Sequence, residues 1–73
     1  MKLSSVKSGQ SCKIIKLNNS ESMIKKLTKL GLVEGTKIKV VRKALFNGPI
    51  EILIRSYYLA MRVVDANQII VEI

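Results

Sequence analysis

Branched aliphatic residues spaced two apart dominate the second half of this chain and limit what it can become. Ile50, Ile52 and Ile54 alternate with Glu51, Leu53 and Arg55. Leu59, Met61 and Val63 share a second two-residue period, and Ile69 with Val71 a third. Residues at i, i+2 and i+4 line one face of a strand. Of the 25 Leu, Ile and Val residues, 17 are β-branched. Such side chains are stiff at χ1 and suit a pleated surface better than a helix. With no Trp and one Phe the core is aliphatic. The expectation is a mainly β domain.

Earlier in the chain, Ser8-Gly9-Gln10 reads as a turn that launches a first strand. Cys12 and Ile14 face inward and Lys13 outward, and the pattern slips at Ile15, which predicts a bulge between Ile15 and Leu17. Met23, Ile24, Leu27 and Leu30 then recur at helical spacing, with Lys25, Lys26 and Lys29 on the wet side. Ser20 is placed to cap this helix, Glu21 suits the positive end of its dipole, and Gly31 supplies a left-handed residue to end it. The predicted helix covers Ser20 to Leu30 and would close one end of the sheet. Val33-Glu34-Gly35-Thr36 is a tight turn into a second strand, Lys37 to Arg42, with Ile38 and Val40 inward. Ala44 to Pro49 is a loop centred on Asn47-Gly48-Pro49, and Ser56 with Tyr57 turns the third strand into the fourth. Asp65-Ala66-Asn67 fits a single 3₁₀ turn before the fifth strand. Five short strands in so small a chain would leave two raw edges, so closure into a partly open barrel is expected.

Length and charge bound the function. The 73 residues make one domain, 1–73, and such a chain buries only about 60% of its unfolded surface. Thirteen Lys and Arg against five Asp and Glu leave a net charge of +8. That favours an acidic partner, an anionic membrane surface or nucleic acid, or serves solubility alone. A lone cysteine, Cys12, permits no internal disulfide and fits a reducing compartment. No apolar leader or spanning stretch is visible, so a soluble, cytoplasmic protein without membrane insertion is expected. There is no His, no phosphate-binding glycine loop and no nucleophile–base pair, which argues against an enzyme or a bound cofactor.

An ordered set of residues carries a resemblance. Leu3, Gly9 and Ile14 come first, then Leu30-Gly31-Leu32 with Gly35. Pro49-Ile50-Glu51-Ile52, Leu59-Ala60-Met61-Arg62, Asp65-Ala66, and Ile69 with Val71 follow. Together they resemble the ferrous iron transport protein A (FeoA) family over essentially the whole chain. The family commonly has glycine where Ser56 stands, and often proline where Glu34 stands. The resemblance implies an SH3-like five-stranded barrel with one short α-helix between the first two strands. It also implies an accessory or regulatory role in ferrous iron uptake, through contact with FeoB, a membrane transporter with a cytoplasmic GTP-binding domain. The resemblance also implies an association with transition metal binding. Alternatives from other classes are a small basic nucleic-acid-binding barrel and a metal-responsive sensor, and a second copy of the chain is a further candidate partner.

The candidate contact residues are Leu45, Phe46, Tyr57, Tyr58, Arg62 and Met23. Leu45 and Phe46 are large apolar residues in a polar loop, so they either tuck under as a satellite core or stay out as a patch. Tyr57 and Tyr58 are strand neighbours, so one is expected inside and the other outside. Arg62 either reaches a partner carboxylate or pairs locally with Asp65. Met23 offers an apolar contact or fills the core. No specific metal site is expected, because iron(II) wants His, Cys or clustered carboxylates and the five acids are scattered.

Overall fold

A computed structural model describes residues 1–73. Its strands are β1 (Ser11–Leu17), β2 (Lys37–Lys43), β3 (Ile50–Ile54), β4 (Tyr57–Met61) and β5 (Ile69–Glu72). All five lie in one antiparallel sheet in the order β4-β3-β2-β1-β5. The alternating positions turn inward as anticipated: Cys12, Ile14, Ile38, Val40, Ile50, Ile52, Ile54, Met61, Ile69 and Val71 are buried. Leu3, Val6, Leu27, Leu32 and Ala66 complete a core with no polar member.

Helix α1 (Glu21–Lys29) lies between β1 and β2 in the chain. The Ser20 hydroxyl oxygen accepts from the Met23 N–H at 3.2 Å, satisfying one orphan donor of the first turn. Gly31, at φ +91°, ends the helix in the left-handed region. Only Leu27 of the apolar stripe is fully buried, while Met23, Ile24 and Leu30 are half-buried. The helix therefore leaves part of its apolar face accessible.

Two bulges bend the sheet. One falls between Ile14 and Lys16 in β1, where the alternation slips. The other falls between Val40 and Arg42 in β2, where nothing in the pattern announces it. Each adds a residue that increases local twist. The sheet nevertheless stays open, contrary to the expected barrel: β4 pairs only with β3, and β5 only with β1. Helix α2 (Val63–Ala66) replaces the expected 3₁₀ turn and removes Val63 from the fourth strand. It carries the chain from one outer strand to the other. A 3₁₀ turn at Leu3–Ser5 packs on α2 and β5, with Leu3, Val6 and Ala66 buried. The Ser4 hydroxyl donates to Asn67 Oδ1, and Lys43 Nζ donates to the Ser4 carbonyl at 2.8 Å.

The turns of both hairpins are centred earlier in the chain than expected. In the β2–β3 loop, Gly48 N–H donates to the Leu45 carbonyl at 3.2 Å, so Phe46 and Asn47 are the central residues. Their φ values of 57° and 60° have the signs of a type I′ turn. The turn is centred on these two residues and not on Asn47-Gly48-Pro49. Gly48 is needed for close approach, since a Cβ there would lie 2.6 Å from the Ala44 Cβ. In the β3–β4 hairpin Ile54 pairs with Tyr57, so the loop is Arg55-Ser56. Arg55 takes the positive φ of 54°, and Ser56 does not.

Candidate functional site

Between α1 and β4 lies a groove of about 460 Å³. Met23, Leu27 and Leu30 come from the helix, and Leu59, Ala60 and Met61 from the strand. Lys26, Arg62 and Asp65 supply its polar part. The groove exists because the helix buries only one edge of its apolar stripe, and β4 is half-buried at Leu59. It brings Met23 and Arg62, two of the anticipated contact residues, into one site.

Arg62 pairs locally. Its Nε lies 3.2 Å from Asp65 Oδ2 across the first turn of α2, with the Arg62 side chain 72% exposed and that of Asp65 18%. The Asp65 carbonyl also accepts from Asn19 Nδ2 at 3.0 Å, which ties the loop before α1 to α2.

The tyrosines do not divide as expected. Tyr57 keeps 38% of its surface and Tyr58 62%, so neither is a core residue. At the hairpin end of β4 the core gives way to the end of α1, and the Tyr57 hydroxyl lies over Gly31. Tyr58 points to the opposite face, aligned with Leu53, Lys39 and Ser11 across the sheet.

Leu45 and Phe46 stay out, 80% and 97% exposed. Lys43, Ile50 and Met61 stand in one row, so this loop leaves the sheet at the end of β4 where Arg62 follows. The patch and the groove share that end, while Tyr57 marks the other. Phe46 holds a backbone conformation that L-residues avoid at about 1–2 kcal/mol, and bulky residues especially.

No convergent chemistry appears in the carboxylates. Glu51 pairs with Arg42 at 3.1 Å and Glu72 with Lys13 at 3.6 Å, as Asp65 does with Arg62. No three His, Cys, Asp or Glu side chains come together. Cys12 is buried, and burial pushes its thiol up, away from the thiolate a metal would need. These residues do not fit a metal centre within one chain. No helix is long and apolar enough to cross a membrane.

The sequence matches the model of the FeoA domain over residues 1–73. The chain belongs to the FeoA family. It is similar to the FeoA protein of Chlorobium tepidum, at 37% identity and TM-score 0.94 over 100% of this chain and 70% of that one. Iron(II) transport protein A from Clostridium thermocellum is 33% identical, with TM-score 0.93 over 100% of this chain and 45% of that one. A zinc-complexed FeoA from Stenotrophomonas maltophilia, described as a prokaryotic SH3 domain protein, has TM-score 0.81 at 21% identity over 99% of this chain and 89% of that one. At that identity the likeness speaks for the fold alone. No curated protein matches the sequence. As a FeoA protein, the chain falls in a family associated with ferrous iron transport.

Sequence reasoning missed Leu30, Leu59 and Ala60 as groove residues. Leu30 reads as ordinary helix stripe, and Leu59 as one face of the fourth strand shared with Met61 and Val63. The available signal was the absence of any charge from Tyr57 to Met61, unusual for a strand at an edge.

Proposed function

We infer that this FeoA protein is a cytoplasmic accessory of ferrous iron uptake, acting by contact with the GTP-binding domain of a FeoB-type transporter. The observation that carries this reading is Phe46, 97% exposed beside Leu45 at 80%, on a turn whose conformation disfavours it. A strained, solvated aromatic is retained where an interaction uses it. The FeoA of Stenotrophomonas maltophilia, proposed as a bacterial ferrous iron transport activating factor, points the same way. The net charge of +8 would speed encounter with an acidic surface and suit a partner beside anionic lipid.

Titration calorimetry with the transporter's soluble GTP-binding domain tests the reading. Leu45→Ala with Phe46→Ala should weaken binding about tenfold or more, the scale of interface hot spots, with folding unchanged because both side chains are exposed. Equal affinity of native and double-variant chains would remove this loop from the contact surface. No binding by the native chain would remove the partner.

A further inference from the structure

We propose that β4 accepts an added strand: an extended segment of a partner protein in which apolar residues alternate with acidic ones. The proposal rests on the protein-contact reading above and names how that contact is made.

The sheet has two outer strands, treated differently. Outside β5, Met1 N donates to the Val71 carbonyl at 3.0 Å, Val71 N–H donates to the Met1 carbonyl at 2.7 Å, and Lys2 bridges Ile70. Outside β4 no strand or loop pairs with the backbone. The hairpin closes on Ile54 and Tyr57 through a two-residue loop, which makes that pair hydrogen-bonded. Alternation along an antiparallel ladder then turns the N–H and C=O groups of Tyr58 and Ala60 outward. Neither residue bonds to any turn, loop or cap.

Edge strands are normally blunted by Lys, Pro, a bulge or a cover. Strand β4, Tyr57-Tyr58-Leu59-Ala60-Met61, has no charge and no Pro, and its five pairs with β3 run without a bulge. An incoming strand would bond to Tyr58 and Ala60 and place alternate side chains toward Met23, Leu27 and Leu30 in the groove. Main-chain bonds supply affinity and the groove supplies selection, the logic of strand addition.

Charge selects the occupant. Arg55 and Arg62 stand at the two ends of β4, and Lys26 lines the groove. Lys26 and Arg55 form no ion pair, and the one acid of the groove, Asp65, is already held by Arg62. An acidic segment fits this frame. A second copy of the chain does not: antiparallel pairing about Leu59 would bring Arg55 of each chain beside Arg62 of the other, between partners that each carry +8.

The test is an amide-resolved NMR titration of the whole chain with three probes: the soluble GTP-binding domain of a FeoB-type transporter, a Val–Glu alternating octapeptide and its Val–Lys counterpart. The Val–Glu peptide should shift the Tyr58 and Ala60 amides and slow their hydrogen exchange, and the Val–Lys peptide should do neither. Ala60→Pro removes an outward N–H at an edge position that tolerates proline, and should weaken binding about tenfold. Tyr58→Glu leaves the backbone intact, sets an anion against the acidic strand and should weaken binding too, which guards against a folding defect in the proline variant. Unmoved β4 amides, equal response to both peptides, or native affinity in both variants would overturn strand addition. Binding of the GTP-binding domain that perturbs only Leu45 and Phe46 would overturn it while leaving the docking reading intact. A β4 response to Val–Glu without binding of that domain would uphold strand addition and remove the assigned partner.

Discussion

The β5 edge and the β4 edge are built from similar lengths of strand, yet one is sealed and the other bare. At β5 the chain spends its first residues as cover, buries Leu3 and Val6 beneath them, and pairs Lys13 with Glu72 across the strands. At β4 it leaves Tyr58 and Ala60 exposed and keeps an apolar groove between strand and helix. A small domain has little material to spare, so where it goes is informative. Backbone cover lies on the β5 side, and an apolar groove beside a bare edge on the β4 side.

The sharpest way to break that contrast is to compare truncations on the two sides. Leu3 is wholly buried beside α2 and β5. Leu3→Ala should cost about 2–4 kcal/mol, the transfer loss plus a cavity. In a domain of marginal stability that is enough to unfold much of the population at physiological temperature. Tyr58→Ala, at 62% exposure, should stay within about 0.5 kcal/mol. Urea denaturation of both variants measures the two costs directly. Similar values would mean that the β4 side is as much part of the packed core as the β5 side.

A smaller effect, of opposite sign, is expected at the open end. Phe46 contributes almost no burial and sits at φ 57°. Phe46→Gly relieves left-handed strain of about 1–2 kcal/mol and gives back about 0.5–1 kcal/mol through greater freedom of the unfolded chain. The net expectation is a gain of about 0–1.5 kcal/mol in urea denaturation, with weaker binding to the transporter domain. Stability and contact would then move in opposite directions at one residue. A loss of stability instead would mean that the ring packs in solution, and the exposed patch would be withdrawn.

Much of the sealed side's local structure was legible in the residues themselves. Two-residue periods named the inward faces of β1, β2, β3 and β5, Ser20 and Gly31 marked the ends of α1, and the slip at Ile15 announced a bulge. What failed to show was tertiary. Nothing periodic in Met1 to Val6 says that it will lie along β5, since one bridge and one 3₁₀ turn leave no repeat to read. Helix α2 is a single turn that alternation alone assigns in part to the fourth strand, and the open sheet has no signal in the pattern. Tyr57 and Tyr58 misled for a related reason: alternation separates two faces but cannot say that the core has run out beneath one of them. Met23 and Arg62 were each identifiable as candidates, yet only packing places them 39 residues apart in one groove.

The finest distinction between the two sides is set by Cys12, which lies on β1 and pairs with Ile38. Burial raises its thiol above the ordinary value of 9.0. The unfolded chain therefore gives up this proton near 9.0, while the folded chain holds it to higher pH. In that window the folded state binds more protons, so the contribution of Cys12 to stability is intact below about pH 9 and declines as pH rises above it. The useful quantity is a difference between the native chain and a variant without the thiol. Stability of the native chain should fall more steeply as pH rises above about 9 than that of Cys12→Ala, whatever the cavity costs the variant at neutral pH. Parallel curves would mean that water reaches the thiol as readily as it reaches β4, and that the sealed half of the sheet opens as easily as the bare one.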